Sequence, residues 1–270
     1  MMKRLTMIAA SLLLLGGVAS AQQSKTDETL EFRPHWSLNV QGGVAHTRGE
    51  SEFSTLLSPA AQLSATYRFH HAMGVRFGFG GWQGKGAAFL ANDAAYNVYA
   101  FQFAQLNADY ILDLAGVFGG FNHKRVVSTY LFAGIGAAYG FDNSAAAPKA
   151  DYFSYYWKQR FFYPGRLGLG LDFRLSDVVS LGLEGNTMIF DDTFNSKAQS
   201  DSKADWHFNV LAGLKFQLGK NTRPSKAYAD KLAAEEAAEA ARLAAERAEA
   251  ERLAAEKAAA EKAAAEKAAR

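Results

Sequence analysis

Residues Arg166–Leu175 read RLGLGLDFRL, and their alternation decides the fold class. Leu167, Leu169, Leu171, Phe173 and Leu175 fall on one side. Arg166, Gly168, Gly170, Asp172 and Arg174, all small or charged, fall on the other. A period of two is that of a β-strand whose two faces meet different surroundings.

The same pattern recurs about eight times between Trp36 and Leu218. The first segment sets Trp36, Leu38, Val40 and Val44 against Ser37, Asn39 and Gln41. The second sets Ala61, Leu63, Ala65, Tyr67 and Phe69 against Gln62, Ser64, Thr66 and Arg68. Met73, Val75, Phe77 and Phe79 oppose Arg76, Gly78 and Gly80 in the third. In the fourth, Leu106, Ala108, Tyr110 and Leu112 oppose Gln105, Asn107 and Asp109. The fifth, near 129–140, is apolar or glycine on both faces, which leaves its register open. Arg166–Leu175 is the sixth. The seventh places Val179, Leu181 and Leu183 against Ser180, Gly182, Glu184 and Asn186. The eighth places Trp206, Phe208, Val210, Ala212, Leu214, Phe216 and Leu218 against His207, Asn209, Gly213, Lys215 and Gln217.

Connection lengths alternate. Long polar stretches are expected at about 49–59, 84–96, 141–161 and 191–204. Tight turns are expected at 70–72 and 176–177, while 113–126 is longer and partly apolar. An even strand number, with long loops at one rim and short turns at the other, is the arrangement of a membrane barrel. Pro34, Pro59, Pro148, Pro164 and Pro224 all sit in connections or near strand ends, where no ladder donor is lost. Parity narrows the sixth hairpin further. A three-residue connection pairs Leu175 with Val179 and Phe173 with Leu181, and it sets Glu184 opposite Gly170, where a missing side chain leaves room. A slip of one residue would turn every side chain to the wrong face.

The N-terminus carries Lys3 and Arg4, an apolar run over 8–15 and Ala19-Ser20-Ala21, which reads as a secretory signal peptide over 1–21. Residues 22–35 form a polar lead-in, 36–219 the barrel and 225–270 a separate Ala/Glu/Lys/Arg segment. The chain has no cysteine, which excludes disulfides, thiol catalysis and thiolate metal sites. A net charge of +2 gives no reason to expect a nucleic-acid partner.

Period two alone does not say whether the apolar face meets lipid or a core. The polar face is mostly Gly, Ser, Asn and Gln with about one charge per strand, which suits a narrow eight-stranded interior. Aromatic residues stand near the apolar strand ends (Trp36, Phe69, Tyr110, Trp206, Phe216), as interfacial girdles do. The last strand alternates up to Phe216 and Leu218. The expectation is an all-β, eight-stranded antiparallel transmembrane barrel followed by a long single α-helix, with outer-membrane lipid as its partner.

Ser37–Gly43 (SLNVQGG), Leu57–Arg68 (LSPAAQLSATYR), Gly81–Gly86 (GWQGKG) and Leu169–Asp177 (LGLDFRLSD) resemble Gram-negative outer-membrane proteins with an OmpA-type barrel. The resemblance covers about 36–219 and carries no catalytic signature. It implies location in the outer membrane. Proteins of that family commonly continue through a linker into a periplasmic peptidoglycan-binding domain. Here the helical segment stands in that place, so contact with peptidoglycan or a periplasmic protein is expected only through the helix.

That segment, 225–270, consists of strong helix formers and ends in Glu-Lys-Ala-Ala-Ala repeats. Cations precede acids by four residues at Lys231/Glu235, Arg242/Glu246, Arg247/Glu251, Arg252/Glu256, Lys257/Glu261 and Lys262/Glu266, the weaker orientation for such pairs. Leu232, Leu243 and Leu253 make no heptad seam. A solvated helical spacer in the periplasm fits better than a coiled coil.

Arg68, Arg76, Asp109, Arg166, Asp172, Arg174, Glu184 and Lys215 are expected to point into the lumen as a network of ion pairs. The rival reading makes them a pore lining. Asp172 and Glu184 as an acid/base couple is disfavoured, because nearby arginines keep both ionised. No catalytic, cofactor-binding or metal-binding residue is assigned, and an enzyme is not expected. His70 and His71 are adjacent in a turn, a poor geometry for one metal. Gly168-Leu169-Gly170 opens no helix, and Gly84-Lys85-Gly86 lacks the rest of a phosphate loop. Asp191, Asp192 and Asp201 miss the calcium-loop spacing. The functional expectation is a structural anchor of the envelope. The alternatives are a narrow or gated porin and a surface adhesin acting through the long loops.

Overall fold

The computed structural model describes residues 29–49, 51–89, 96–147, 156–196 and 203–268. The expected signal peptide over 1–21 lies outside them. The described residues divide into two units: 32–222, and 29–31 with 223–268.

In the first unit, β2 (His35–Thr47), β3 (Leu57–His70), β4 (Met73–Phe89) and β5 (Tyr96–Asp113) follow one another as antiparallel neighbours. Next come β6 (Val127–Phe141), β7 (Arg160–Phe162), β8 (Gly165–Arg174), β9 (Val179–Asp191) and β10 (Ala204–Leu218). The order β5-β4-β3-β2-β10-β9-β8-β6 is closed by a further ladder between β6 and β5. β7 and β8 are two pieces of one barrel strand. Ala138 faces Phe162 and Ile135 faces Gly165 in unbroken register, and the gap is Tyr163-Pro164, where proline brings no donor. Pro164 still accepts at its carbonyl from the Gly136 amide at 2.8 Å. The sheet is therefore a closed cylinder of eight antiparallel strands.

Strands of 13 to 18 residues exceed the 9–11 or so that a tilted strand needs to cross hydrocarbon. Side chains sort as the alternation requires. Val40, Leu63, Phe77, Phe79, Leu106, Ile135 and Val210 are exposed on the outside. Ser37, Asn39, Gln62, Thr66, Asn107 and Asn186 are buried within. Aromatic side chains collect at both ends of the outer belt. Trp36 lies against Tyr67 and Phe69 against Tyr110 near the rim that carries the chain ends. Tyr139 lies against Phe161 and Trp206 against Phe208 near the opposite rim.

The sixth hairpin has the register that parity demands. Phe173 faces Leu181, Gly170 faces Glu184, and the Leu175 amide donates to the Val179 carbonyl at 3.0 Å. The turn is held by Ser176, whose hydroxyl accepts from the amides of Val178 and Val179. The room at Gly170 is taken not by the Glu184 carboxylate but by the ring of Tyr130, against which a Cβ at Gly170 would collide.

Two connections differ from expectation. The stretch 84–96 is no long loop: β4 and β5 pair onward from Gly84↔Phe101 to Phe89↔Tyr96, leaving only 90–95 to join them. Gly84 and Gly86 read as turn residues, but here they sit in a strand because the rings of Phe101 and Tyr99 occupy the space a Cβ would fill. Pro59 lies inside β3, opposite Val44, since that strand begins two residues earlier. The partly apolar 113–126 connection holds a short helix, Leu114–Gly119. Asp113 caps it by accepting from the Gly116 amide at 2.8 Å.

β1 (Leu30–Phe32) pairs with β11 (Thr222–Pro224), and the Ser225 amide donates to the Thr29 carbonyl. Ser225 caps the helix Lys226–Ala268 through its hydroxyl, which accepts from the Tyr228 amide at 3.3 Å. Leu232, Leu243 and Leu253 are 40–50 % exposed, so no apolar stripe is covered along the helix. The Lys231–Glu235 and Arg242–Glu246 pairs stand at 3.8 and 3.9 Å, exposed and individually weak.

Val210, 65 % exposed at the middle of β10, should tolerate no charge if lipid surrounds it. Val210→Arg is expected to lower stability by about 2–4 kcal/mol in urea titrations of the protein folded into lipid vesicles. Ser64→Ala on the inner face should change it by well under half of that.

Candidate functional site

The interior has three levels. Near the rim that carries the chain ends, the inner side chains leave a cavity of about 590 Å³. Arg68 pairs with Asp113 at 2.8 Å and Lys215 with Asp172 at 2.5 Å at this level.

The middle level is an ion-pair layer. Arg76 is fully buried and reaches Asp109, its cross-strand partner on β5, at 2.8 Å. It also reaches Glu184, from β9 across the lumen, at 2.5 Å. Arg166 adds a longer contact to Asp109 at 3.4 Å and donates to the Gln62 amide oxygen at 3.0 Å. Tyr130, Asn107 and Asn186 donate to the two carboxylates. The Arg76 guanidinium lies 4.1 Å above the Phe132 ring. Two arginines and two carboxylates make the layer neutral. Such a layer is tolerated in a buried interior because each charge has both a counter-ion and hydrogen bonds. At Gly134, opposite Asp109, a Cβ would strike the carboxylate, so the strand must come bare at that point.

Above this, toward the loop rim, the lumen is filled by Phe101, Phe103, Phe162, Phe190, Met188 and Phe194. Phe190 and Phe194 stack at 3.7 Å, and His207, itself fully buried, lies edge-on to Phe103. The His207 ring is held by Thr47 at 2.9 Å. Phe194 and Trp157 come from loops folded inward. The Trp157 indole donates to the Thr193 carbonyl at 2.9 Å, and Asn143 donates to Ser196 and to the Trp157 carbonyl.

Of the eight charges expected in the lumen, Arg76, Asp109, Arg166 and Glu184 are brought together. Arg68 and the Asp172–Lys215 pair stand closer to the rim. Asp172 and Glu184 thus serve different cations. Arg174 lies on the rim itself, bonded to Asp177 and to the His123 carbonyl. The aromatic filling and Tyr130 are absent from the expectation. Parity carried forward would have found the filling: Tyr99, Phe101 and Phe103 continue the inner positions of Gln105, Asn107 and Asp109, and Met188 and Phe190 continue those of Glu184 and Asn186. Tyr130 was hidden because its strand is apolar on both faces. Among the described residues no three His, Asp or Glu side chains gather as metal ligands.

No family model matches the sequence. Outer membrane protein 40 of Porphyromonas gingivalis is 28% identical over 191 residues, covering 69% of this chain and 47% of that protein. The apolar outer belt, the closed strand order and this relative agree. The chain is an eight-stranded outer-membrane β-barrel. It spans about half the length of that curated relative. Among solved structures, the N-terminal barrel of Pseudomonas aeruginosa OprF matches 69% of this chain and 100% of its own, at 10% identity and a TM-score of 0.41. Neisserial surface protein A matches 68% and 97%, at 13% and 0.42. At such scores these likenesses add nothing to what the strand ladder shows.

Arg76→Leu leaves the buried Glu184 carboxylate without its counter-ion and is expected to cost about 3–5 kcal/mol in urea unfolding of the vesicle-folded barrel. Arg76→Leu combined with Glu184→Leu should recover a large part of that loss, since no uncompensated charge then remains beside Tyr130.

Proposed function

We propose that this barrel is a structural anchor of the outer membrane whose helical arm contributes to envelope integrity. The supporting observation is the filling of the lumen at two heights, by the Arg76–Asp109–Glu184–Arg166 layer and by the aromatic level above it. A cylinder packed in this way gains rigidity, and a solute path through it would require both levels to part. The helix Lys226–Ala268, at about 1.5 Å per residue, would reach on the order of 65 Å. Its even solvation suits a spacer extending through the periplasm toward peptidoglycan or a periplasmic protein.

Planar-bilayer recording of refolded protein should give no reproducible unitary openings. Discrete, recurrent conductance steps would replace the anchor with the narrow or gated porin. For the arm, a chain ending at Pro224 is expected to insert normally yet fail to restore detergent resistance to cells lacking the full-length protein. Full restoration by that truncated chain would remove the arm from the function.

A further inference from the structure

The 590 Å³ cavity at the rim carrying the chain ends plays no part in the anchor reading, and its charges do not cancel. Three carboxylates line it, and each is already taken: Asp113 by Arg68 at 2.8 Å, Asp172 by Lys215 at 2.5 Å, and Asp177 by Arg174. Two further cations line the same space, Arg125 from the 113–126 connection and Lys220 just after β10. Neither has a carboxylate partner among the described residues. Arg125 is steadied by one bond from its guanidinium to the Gly120 carbonyl at 3.0 Å. The lining therefore carries an excess of two positive charges, inside walls of low dielectric that focus the field inward.

Two more features favour a ligand over bulk water. The Ser37 hydroxyl lines the cavity, is 2 % exposed, and has no hydrogen-bond partner among the described residues. A buried hydroxyl left unsatisfied costs about 1–3 kcal/mol, so a polar atom is wanted there. Phe32 and Phe121, packed edge-on at 5.7 Å, also line the cavity and give it an apolar part. A concave space of this size, with an apolar part and a few polar groups, suits a small organic molecule.

We propose that this cavity is a binding site for a small anionic solute bearing a carboxylate or phosphate, held by Arg125 and Lys220 with the Ser37 hydroxyl at its floor. The site opens toward the rim of the chain ends and does not depend on whether the opposite end of the lumen is closed.

The absence of cysteine makes the test clean. Ser37→Cys places a single thiol at the floor of the cavity in the full chain folded into vesicles. Its labelling rates are measured with a sulfonate-bearing and a trimethylammonium-bearing methanethiosulfonate, each normalised to free cysteine. The anionic reagent should be favoured roughly tenfold. Inorganic phosphate or N-acetylglutamate should slow labelling beyond what sodium chloride of equal ionic strength does, and which of them protects assigns the anion type. Arg125→Gln with Lys220→Gln, both outside the barrel ladder, should abolish the preference and the protection. Ser128→Cys and Ser180→Cys, on the less buried walls, repeat the measurement if the floor substitution disturbs folding. Equal normalised rates, a preference for the cationic reagent, protection by neither anion, or no labelling at any of the three positions would overturn the proposal. So would a preference that survives the double substitution.

Discussion

Within hydrocarbon no water is present to bond a backbone amide or carbonyl, so every strand must have a neighbour on both sides. The ladder between β5 and β6 meets that condition for the whole molecule. Without it, β5 and β6 would each present a row of bare polar groups to lipid. Closure also creates an inside, and an eight-stranded inside is narrow. Side chains entering it must be small, charged in matched sets, or apolar rings packed on one another, and residues facing outward must be apolar. The alternation along Arg166–Leu175 is the local trace of that global condition.

The narrow interior explains how the charges are arranged. Arg76 bridges the carboxylates of β5 and β9, so it ties opposite walls as well as adjacent strands. Bare backbone at Gly134 and Gly170 makes room for Asp109 and for Tyr130, which in turn donates to Glu184. Above this neutral layer the strands carry rings instead of ions, and two loops add Trp157 and Phe194 to them. The two ends of the lumen thus differ in kind: one is packed with aromatic rings, the other holds a cavity with an excess of cations.

Much of this was legible in one dimension because a strand repeats every two residues. The outer and inner sets of seven segments follow from parity, as does the Phe173–Leu181 register across the sixth hairpin. Legibility failed where the two faces do not differ in polarity. Around Tyr130 and Phe132, inner residues are as apolar as outer ones, so no register could be assigned. It failed again at 84–96, where glycines that accommodate rings across the strand have the composition of a turn.

The sequence by itself determined the eight segments around which the strands form, the outward faces of seven of them and the helical character of 226–268. Each of these depends on neighbours only a few residues apart. Only the tertiary structure decided which charges meet, because Arg76 and Glu184 lie 108 positions apart and are joined by the curvature of the closed sheet. It also decided that Trp157 and Phe194 fold in from separate connections onto the rings of the strands, and that Arg125 and Lys220 share one cavity. Contacts of that kind depend on which strands end up facing one another across the lumen, and local periodicity carries no information about that.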